Sequence, residues 1–273
     1  MADKILIIFL AIALFLIALP KILGLLGFHP DYKRKNYNFS NKKALIITTS
    51  HDTLIKSGKP TGVYASEMTV PYYEFKESGI EVDLASIKGG EIPIEPSSLK
   101  WPLKIESDQK FLNDQEFLSK AKNSIPISDV DIKEYDMIFI AGGWGAAYDL
   151  GQSEELGQKI TTAYNQNKII GAVCHGPLGL LKAVDNEGHK LIEGRKITAV
   201  TDKQIKELRI TETPYHPETE LRKAGADFKN NSKLFDTLAN NIEVDENIIT
   251  GQNQNSAGET AQIMMKMLSK NLN

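Results

Sequence analysis

Polar side chains are absent from Ile5 to Leu19, and the apolar run then resumes from Ile22 to Phe28 after Pro20 and Lys21. As one helix, residues 5–28 would extend about 36 Å at about 1.5 Å per residue, enough to cross a hydrocarbon core. A cleaved secretory signal needs a basic start and a small-x-small cleavage site, and neither is clear here. A buried core helix would carry a polar stripe, which this run lacks. The pattern predicts an uncleaved transmembrane helix, with residues 1–30 as a membrane anchor and 31–43 as a basic and polar linker. Only Lys4 precedes the run, whereas Lys33, Arg34, Lys35, Lys42 and Lys43 follow it. The positive-inside rule then predicts a single-pass membrane protein whose following domain is cytoplasmic.

From residue 44 to residue 273 the periodicity changes. Short β-branched runs alternate with amphipathic stretches, the pattern of an α/β domain with a flavodoxin-like, largely parallel sheet and helices on both faces. Ala44–Thr49, Ile80–Ala85, Met137–Ala141 and Lys168–Val173 read as buried strands, with later strands at Lys196–Val200 and Ile248–Thr250. Helices are predicted over Thr61–Ser78, Asp108–Ala121, Glu154–Gln166, Pro177–Val184 and Ala257–Leu268. Lys88–Lys104, rich in Gly and Pro, is an excursion between elements.

Charge narrows the function classes. There are 32 Lys and Arg against 35 Asp and Glu, so no basic excess exists to drive phosphate-backbone binding, and nucleic acid is not expected as a partner. The single cysteine, Cys174, excludes an intrachain disulfide framework and zinc sites built on paired cysteines. No two of the five histidines have helical metal-ligand spacing, so no metal is expected.

A lone cysteine is most often a buried, inert thiol. The sequence around Cys174 points elsewhere. Ligands of open α/β sheets bind beyond the carboxyl ends of strands, and two glycine-bearing strand ends point there: Ala141-Gly142-Gly143-Trp144-Gly145 and Gly171-Ala172-Val173-Cys174-His175-Gly176. The second has the build of a nucleophile elbow, with small residues two before and two after the cysteine. Pro177 suits the first turn of a following helix. A cysteine at a helix N-terminus has its pKa lowered, so the thiol is expected below the free value of about 8.5. His175 offers an adjacent proton acceptor, and the N–H groups of Gly142 and Gly143 are candidate oxyanion donors.

Ala172-Val173-Cys174-His175-Gly176-Pro177 resembles the nucleophile elbow of the ThiJ/PfpI superfamily, the class I glutamine amidotransferase-like fold. Lys59-Pro60-Thr61-Gly62-Val63-Tyr64-Ala65-Ser66-Glu67 resembles the segment in which that family carries a glutamate beside the cysteine. Leu84-Ala85-Ser86, Leu191-Ile192-Glu193-Gly194 and Thr250-Gly251-Gln252-Asn253 resemble it too, so the likeness spans about Ala44 to Leu268. The excursion between Lys88 and Trp101 is similar to that of the heat-shock chaperone and glutathione-independent glyoxalase III group.

The resemblance implies Cys174 as nucleophile, His175 as adjacent base and Glu67 as proton-handling carboxylate. It further implies a cofactor-free, lyase-type conversion of methylglyoxal to lactate, with a small carbonyl compound as substrate and extension to glycated protein. A homodimer is compatible with it. A holding chaperone and a cysteine amidase or peptidase are the alternatives the superfamily offers. One departure stands out: the group supplies an acid to orient its histidine shortly after a Thr-Asp, and from Thr201-Asp202 that place falls at Ile205, with Glu207 nearby. His216 lies on an insertion placed to cover the site, while His51, His29 and His189 read as loop or linker residues.

Overall fold

Alternate side chains of the apolar strands face opposite sides of one sheet. The structure is a computed structural model that describes residues 2–25, 32–210, 212–233 and 236–271. Its central strands are β1 (Lys42–Thr48), β2 (Ile80–Ser86), β3 (Ile125–Pro126), β4 (Met137–Ile140) and β5 (Ile169–Val173). Two short strands, β6 (Lys196–Ile197) and β7 (Asp227–Phe228), pair with each other apart from the main sheet. The sheet is completed by β8 (Ile242–Asp245) and β9 (Ile248–Gly251), in the order β3-β2-β1-β4-β5-β9-β8. Every neighbouring pair in it is parallel except β8 and β9. Leu45 and Ile47, Ile138 and Ile140, and Ile170 and Ala172 enter one core. Ala44 and Ile46, Met137 and Phe139, and Ile169 and Val173 enter the other. A strand that is apolar at every position is what two covered faces require.

Helices α2 (Ala65–Glu77), α3 (Glu106–Phe111) and α4 (Gln115–Lys122) follow the first helix of the chain, α1 (Ala2–Leu25). Then come α5 (Ala146–Asp149), α6 (Glu154–Asn165), α7 (Asp202–Glu207), α8 (Pro217–Lys223) and α9 (Ala257–Lys270). α2, α4 and α9 contribute Met68, Phe117 and Met264 to one core, and α6 contributes Leu156 and Ile160 to the other. Burying each such side chain contributes about 1.5–3 kcal/mol. The chain order reverses between β1 and β4, the switch point beyond which open α/β sheets bind their ligands.

Three predicted helices differ in extent. α2 starts at Ala65, because Val63 is extended and donates its N–H to Pro93 O at 2.8 Å. The helix predicted over residues 108–121 is two helices, since Asp114 accepts the Phe117 N–H at 3.1 Å and caps α4. After Cys174 the chain makes a 3-10 turn over Gly176–Leu180 rather than an α-helix.

The transmembrane helix and the single-pass membrane localisation expected from residues 5–28 are corrected by the structure. Its described part lies in α1 (Ala2–Leu25), but among the described residues no helix is long and apolar enough to cross a membrane. Ile5–Leu19, the uninterrupted apolar stretch of fifteen residues, gives about 22 Å of helix against a hydrocarbon core of about 30 Å. Residues 26–31, on which the longer reading depended, lie outside the described residues. The basic flank has partners within the globular part. Arg34 pairs with Glu74 at 2.7 Å and Glu77 at 2.8 Å, Lys42 with Asp136 at 2.9 Å, and Lys43 with Glu81 at 3.4 Å. The predicted orientation, with a cytoplasmic domain behind a membrane partner, loses its basis with the span.

Candidate active site

β5 delivers Cys174 to the rim of the sheet in a conformation that ordinary residues avoid. Its φ is 59°, the left-handed region, in a turn with the strand before it and the 3-10 turn after it. That strain is a mark of functional sites and fits the predicted elbow. Gly176 is required there, because a Cβ at that position would lie 2.2 Å from Ile140 O. The Cys174 N–H donates to Gly251 O and its carbonyl accepts from Val200 N–H, both at 3.0 Å. β9 and the segment leading to α7 thus hold the elbow from two sides.

Glu67, in the first turn of α2, meets the elbow from across the switch point. Its side chain is fully buried, accepts the Gly142 N–H on Oε2 at 2.8 Å and lies beside the Cys174 thiol, with Oε1 left without a hydrogen-bond partner among the described residues. Gly142 must be a glycine: a Cβ would lie 2.5 Å from His175 N and 2.8 Å from Glu67 Oε2. The structure brings Glu67, Gly142, Cys174 and His175 together, and the sequence did not foresee the pairing of Glu67 with the Gly142 N–H. The Gly142 N–H is committed to Glu67, while the N–H groups of Gly143 and His175 face the Cys174 sulfur.

Electrostatics reverse one expectation. Burial pushes the Glu67 carboxyl up to about 8 against the opposing hydrogen bonds from Cys174 and Gly142. Burial also pushes the Cys174 thiol well above its ordinary value, with the Glu67 charge and hydrogen bond adding to it and the two backbone N–H groups opposing. The predicted low thiol pKa rested on a helix dipole that a five-residue 3-10 turn does not supply. It also took no account of a carboxylate beside the sulfur.

His175 is buried, and its Nδ1 lies 3.4 Å from Cys174 Sγ. Burial first, and then the charge of His216, lower its pKa to about 3, so the ring is neutral. A neutral imidazole beside a protonated thiol is an acceptor for its proton. Its Nε2 is enclosed and has no hydrogen-bond partner among the described residues. Ile205 stands where an orienting acid was expected and packs against Cys174 and Val200. Glu207 does not take its place, since its Oε2 accepts the Asp236 N–H at 2.8 Å.

His216 does come near, close enough for its charge to act on His175, and its Nδ1 lies 3.3 Å from Asp202 Oδ1. Asp202 was not foreseen, because nothing local in the sequence ties it to residue 216. His51 stacks on Tyr148 with ring centroids 4.0 Å apart, and His189 sits in a surface loop 3.6 Å from Asp185. His29 lies outside the described residues. A cavity of 360 Å³ between α2, α3 and the start of α9 is lined by Tyr32, Tyr64, Tyr73 and Lys110, among others, and does not include Cys174. Strain, burial and shifted acidity coincide at the elbow instead.

The chain belongs to the DJ-1/PfpI family, whose model matches residues 59–267. It is 30% identical over 240 residues to a glutathione-independent glyoxalase of Schizosaccharomyces pombe, covering 84% of this chain and 96% of that protein. It is 32% identical to Glyoxalase 3 of Candida albicans, covering 81% and 95%. Among solved structures, Rapid Encystment Protein 24 KDa of Francisella tularensis superposes with a TM-score of 0.77 at 36% identity, covering 83% of this chain and 99% of that one.

Proposed function

We propose that this protein is a cysteine-dependent glyoxalase III-like enzyme that converts methylglyoxal to lactate with Cys174, Glu67 and His175 as its reacting groups. The observation that carries the reading is the Glu67 carboxyl, buried against the Cys174 thiol with its acidity shifted to about 8. A group poised near neutrality both gives and takes a proton, which an internal proton transfer needs. The names of the Schizosaccharomyces pombe and Candida albicans relatives support the same reaction class.

The steps follow from the geometry. Cys174 Sγ adds to the aldehyde carbon as His175 Nδ1, 3.4 Å away, accepts the thiol proton. His175 returns that proton to the carbonyl oxygen, which becomes the hydroxyl of a hemithioacetal, while the N–H groups of Gly143 and His175 stabilise negative charge beside the sulfur. Glu67 removes the proton on the former aldehyde carbon and returns it to the neighbouring carbon through an enediol. This leaves a lactoyl thioester on Cys174. Water then cleaves the carbon–sulfur bond, releasing lactate and restoring the thiol. No step calls on an external cofactor.

Cys174 is only 6% exposed, which favours a two- or three-carbon carbonyl compound over a protein side chain. Amidase chemistry would rely on a histidine oriented by an acid, and His175 Nε2 has no such partner among the described residues. A panel of ketoaldehydes, glycated peptides and unmodified peptides, each with the parent and Cys174→Ser, tests the reading. Turnover of methylglyoxal that Cys174→Ser abolishes is the expected result. Cleavage of unmodified peptides with no ketoaldehyde turnover would overturn it.

A further inference from the structure

The side chain of Cys174 has two unlike surroundings. One is polar: His175 Nδ1 lies 3.4 Å from the sulfur, the N–H groups of Gly143 and His175 face it, and the Glu67 carboxyl is buried beside it. The other is hydrocarbon. Val200 and Ile205 are buried in contact with Cys174, and Ile210 packs on that group while keeping part of its own surface open.

Local rules place these three side chains. Val200 donates its N–H to Cys174 O at 3.0 Å, and Thr201 then starts α7 by accepting the Gln204 N–H on its hydroxyl at 3.0 Å. The helix ends at Arg209, whose φ of 54° is left-handed, and the Ile210 N–H reaches back to Ile205 O at 3.1 Å. That bond closes a Schellman turn, which brings its two outer side chains into apolar contact, here Ile205 and Ile210. Beyond Ile210 the chain is tied down again. Glu212 Oε2 accepts the Lys56 N–H at 2.6 Å, and Glu212 O accepts the Tyr148 hydroxyl at 3.2 Å. The hydrocarbon wall beside Cys174 is therefore held at both ends, with Ile210 as its part-exposed member.

A hemithioacetal on Cys174 carries sulfur, hydrogen, a hydroxyl and the ketone arm on its former aldehyde carbon. The hydrogen has to meet Glu67, and the hydroxyl has to meet His175 and the backbone N–H groups. Those two demands occupy the polar surroundings and leave the hydrocarbon wall for the end of the ketone arm. We propose that Val200, Ile205 and Ile210 are the specificity surface of the site, receiving the alkyl end of a 2-ketoaldehyde and so selecting methylglyoxal over glyoxal, which has only hydrogen there. The proposal rests on the glyoxalase reading for its reaction and adds the feature that chooses among its substrates. It also gives the departure at Ile205 a consequence. A carboxylate at that place would set a charge against the arm, whereas a branched hydrocarbon offers it contact.

The test uses the full chain and reads the ratio of kcat/KM for methylglyoxal to that for glyoxal, because a general loss of folded enzyme lowers both alike. Ile210→Val and Ile210→Thr have the same shape and differ by a methyl group against a hydroxyl. The Val variant keeps the parent ratio within about twofold, and in the Thr variant the ratio falls about 10-fold, the low end of what one carbon decides in an apolar pocket. Equal ratios in the two variants would overturn the specificity surface. Should Ile210→Thr fail to fold, Ile210→Ala takes its place with the same expected fall, and a ratio within about twofold of the parent would overturn the proposal. A parent that turns over neither ketoaldehyde would remove the glyoxalase reading. The wall is then decided by the rates at which propyl and 2-hydroxyethyl methanethiosulfonate form mixed disulfides with Cys174. A preference for the propyl reagent that Ile210→Val keeps and Ile210→Thr loses supports it, and the same preference in both variants would overturn it.

Discussion

Glu67 lies buried beside the Cys174 thiol, with the Gly142 N–H fixing the carboxyl at 2.8 Å. Two groups that both lose a proton, buried together, each resist losing it. Alkylation of Cys174 as a function of pH should therefore show a midpoint above the free-cysteine value of about 8.5. Glu67→Gln removes the charge and should bring the midpoint down by about one pH unit or more. A parent midpoint at or below the free value would mean that the backbone N–H groups of Gly143 and His175 outweigh burial.

The same burial makes stability depend on pH. Glu67 holds its proton to about 8 when folded, against an ordinary 4.5, so the folded state binds more protons than the unfolded one between those values. Stability then falls as pH rises through that window and levels off above it. His175 acts at the other end: its folded value of about 3 lies below the ordinary 6.5, so stability falls as pH drops from 6.5 towards 3. Urea midpoints at about pH 5 and about pH 8 should show a decline in the parent that Glu67→Gln abolishes, leaving the small rise that His175 contributes. An equal decline in both proteins would assign the dependence to other groups.

Gly142 is the hinge of the arrangement, since one added carbon would meet His175 N and Glu67 Oε2 together. Gly142→Ala should cost about 1–3 kcal/mol of stability, the usual range for overpacking a filled site. It should also reduce methylglyoxal turnover by more than its effect on folding explains. Wild-type turnover in that variant would show that the carboxyl does not depend on the Gly142 N–H.

Sequence revealed the strands and the elbow because their signals are local. Continuous apolar runs mark β1, β4 and β5, and small residues flank Cys174 at fixed spacing. The likeness to known sequences supplied Glu67, which no local pattern singles out. What was not legible depends on contacts between distant segments. The Gly142 N–H was expected to face an oxyanion and instead binds Glu67. The thiol was expected to be acidic from its place before a helix, and burial beside a carboxyl reversed that. Asp202 and His216 meet only because α8 returns over α7, and the loop between those helices carries no periodicity. The anchor was over-read because apolar character was counted across Pro20 and Lys21, where the uninterrupted run ends.

The account turns on Glu67 as the group that moves a proton between the two carbons of the bound ketoaldehyde. Once Cys174 is bonded to substrate its sulfur cannot serve as that base, and the buried carboxyl beside it can. The most direct test measures two rates in one variant. Glu67→Gln should keep or increase alkylation of Cys174, and should lose methylglyoxal turnover by about 10²–10⁴-fold, the usual worth of a positioned general base. That opposite movement separates a proton-transfer role from mere support of the cysteine, which would lower both rates together. Near wild-type turnover of methylglyoxal by Glu67→Gln would contradict the mechanism, even with Cys174 essential.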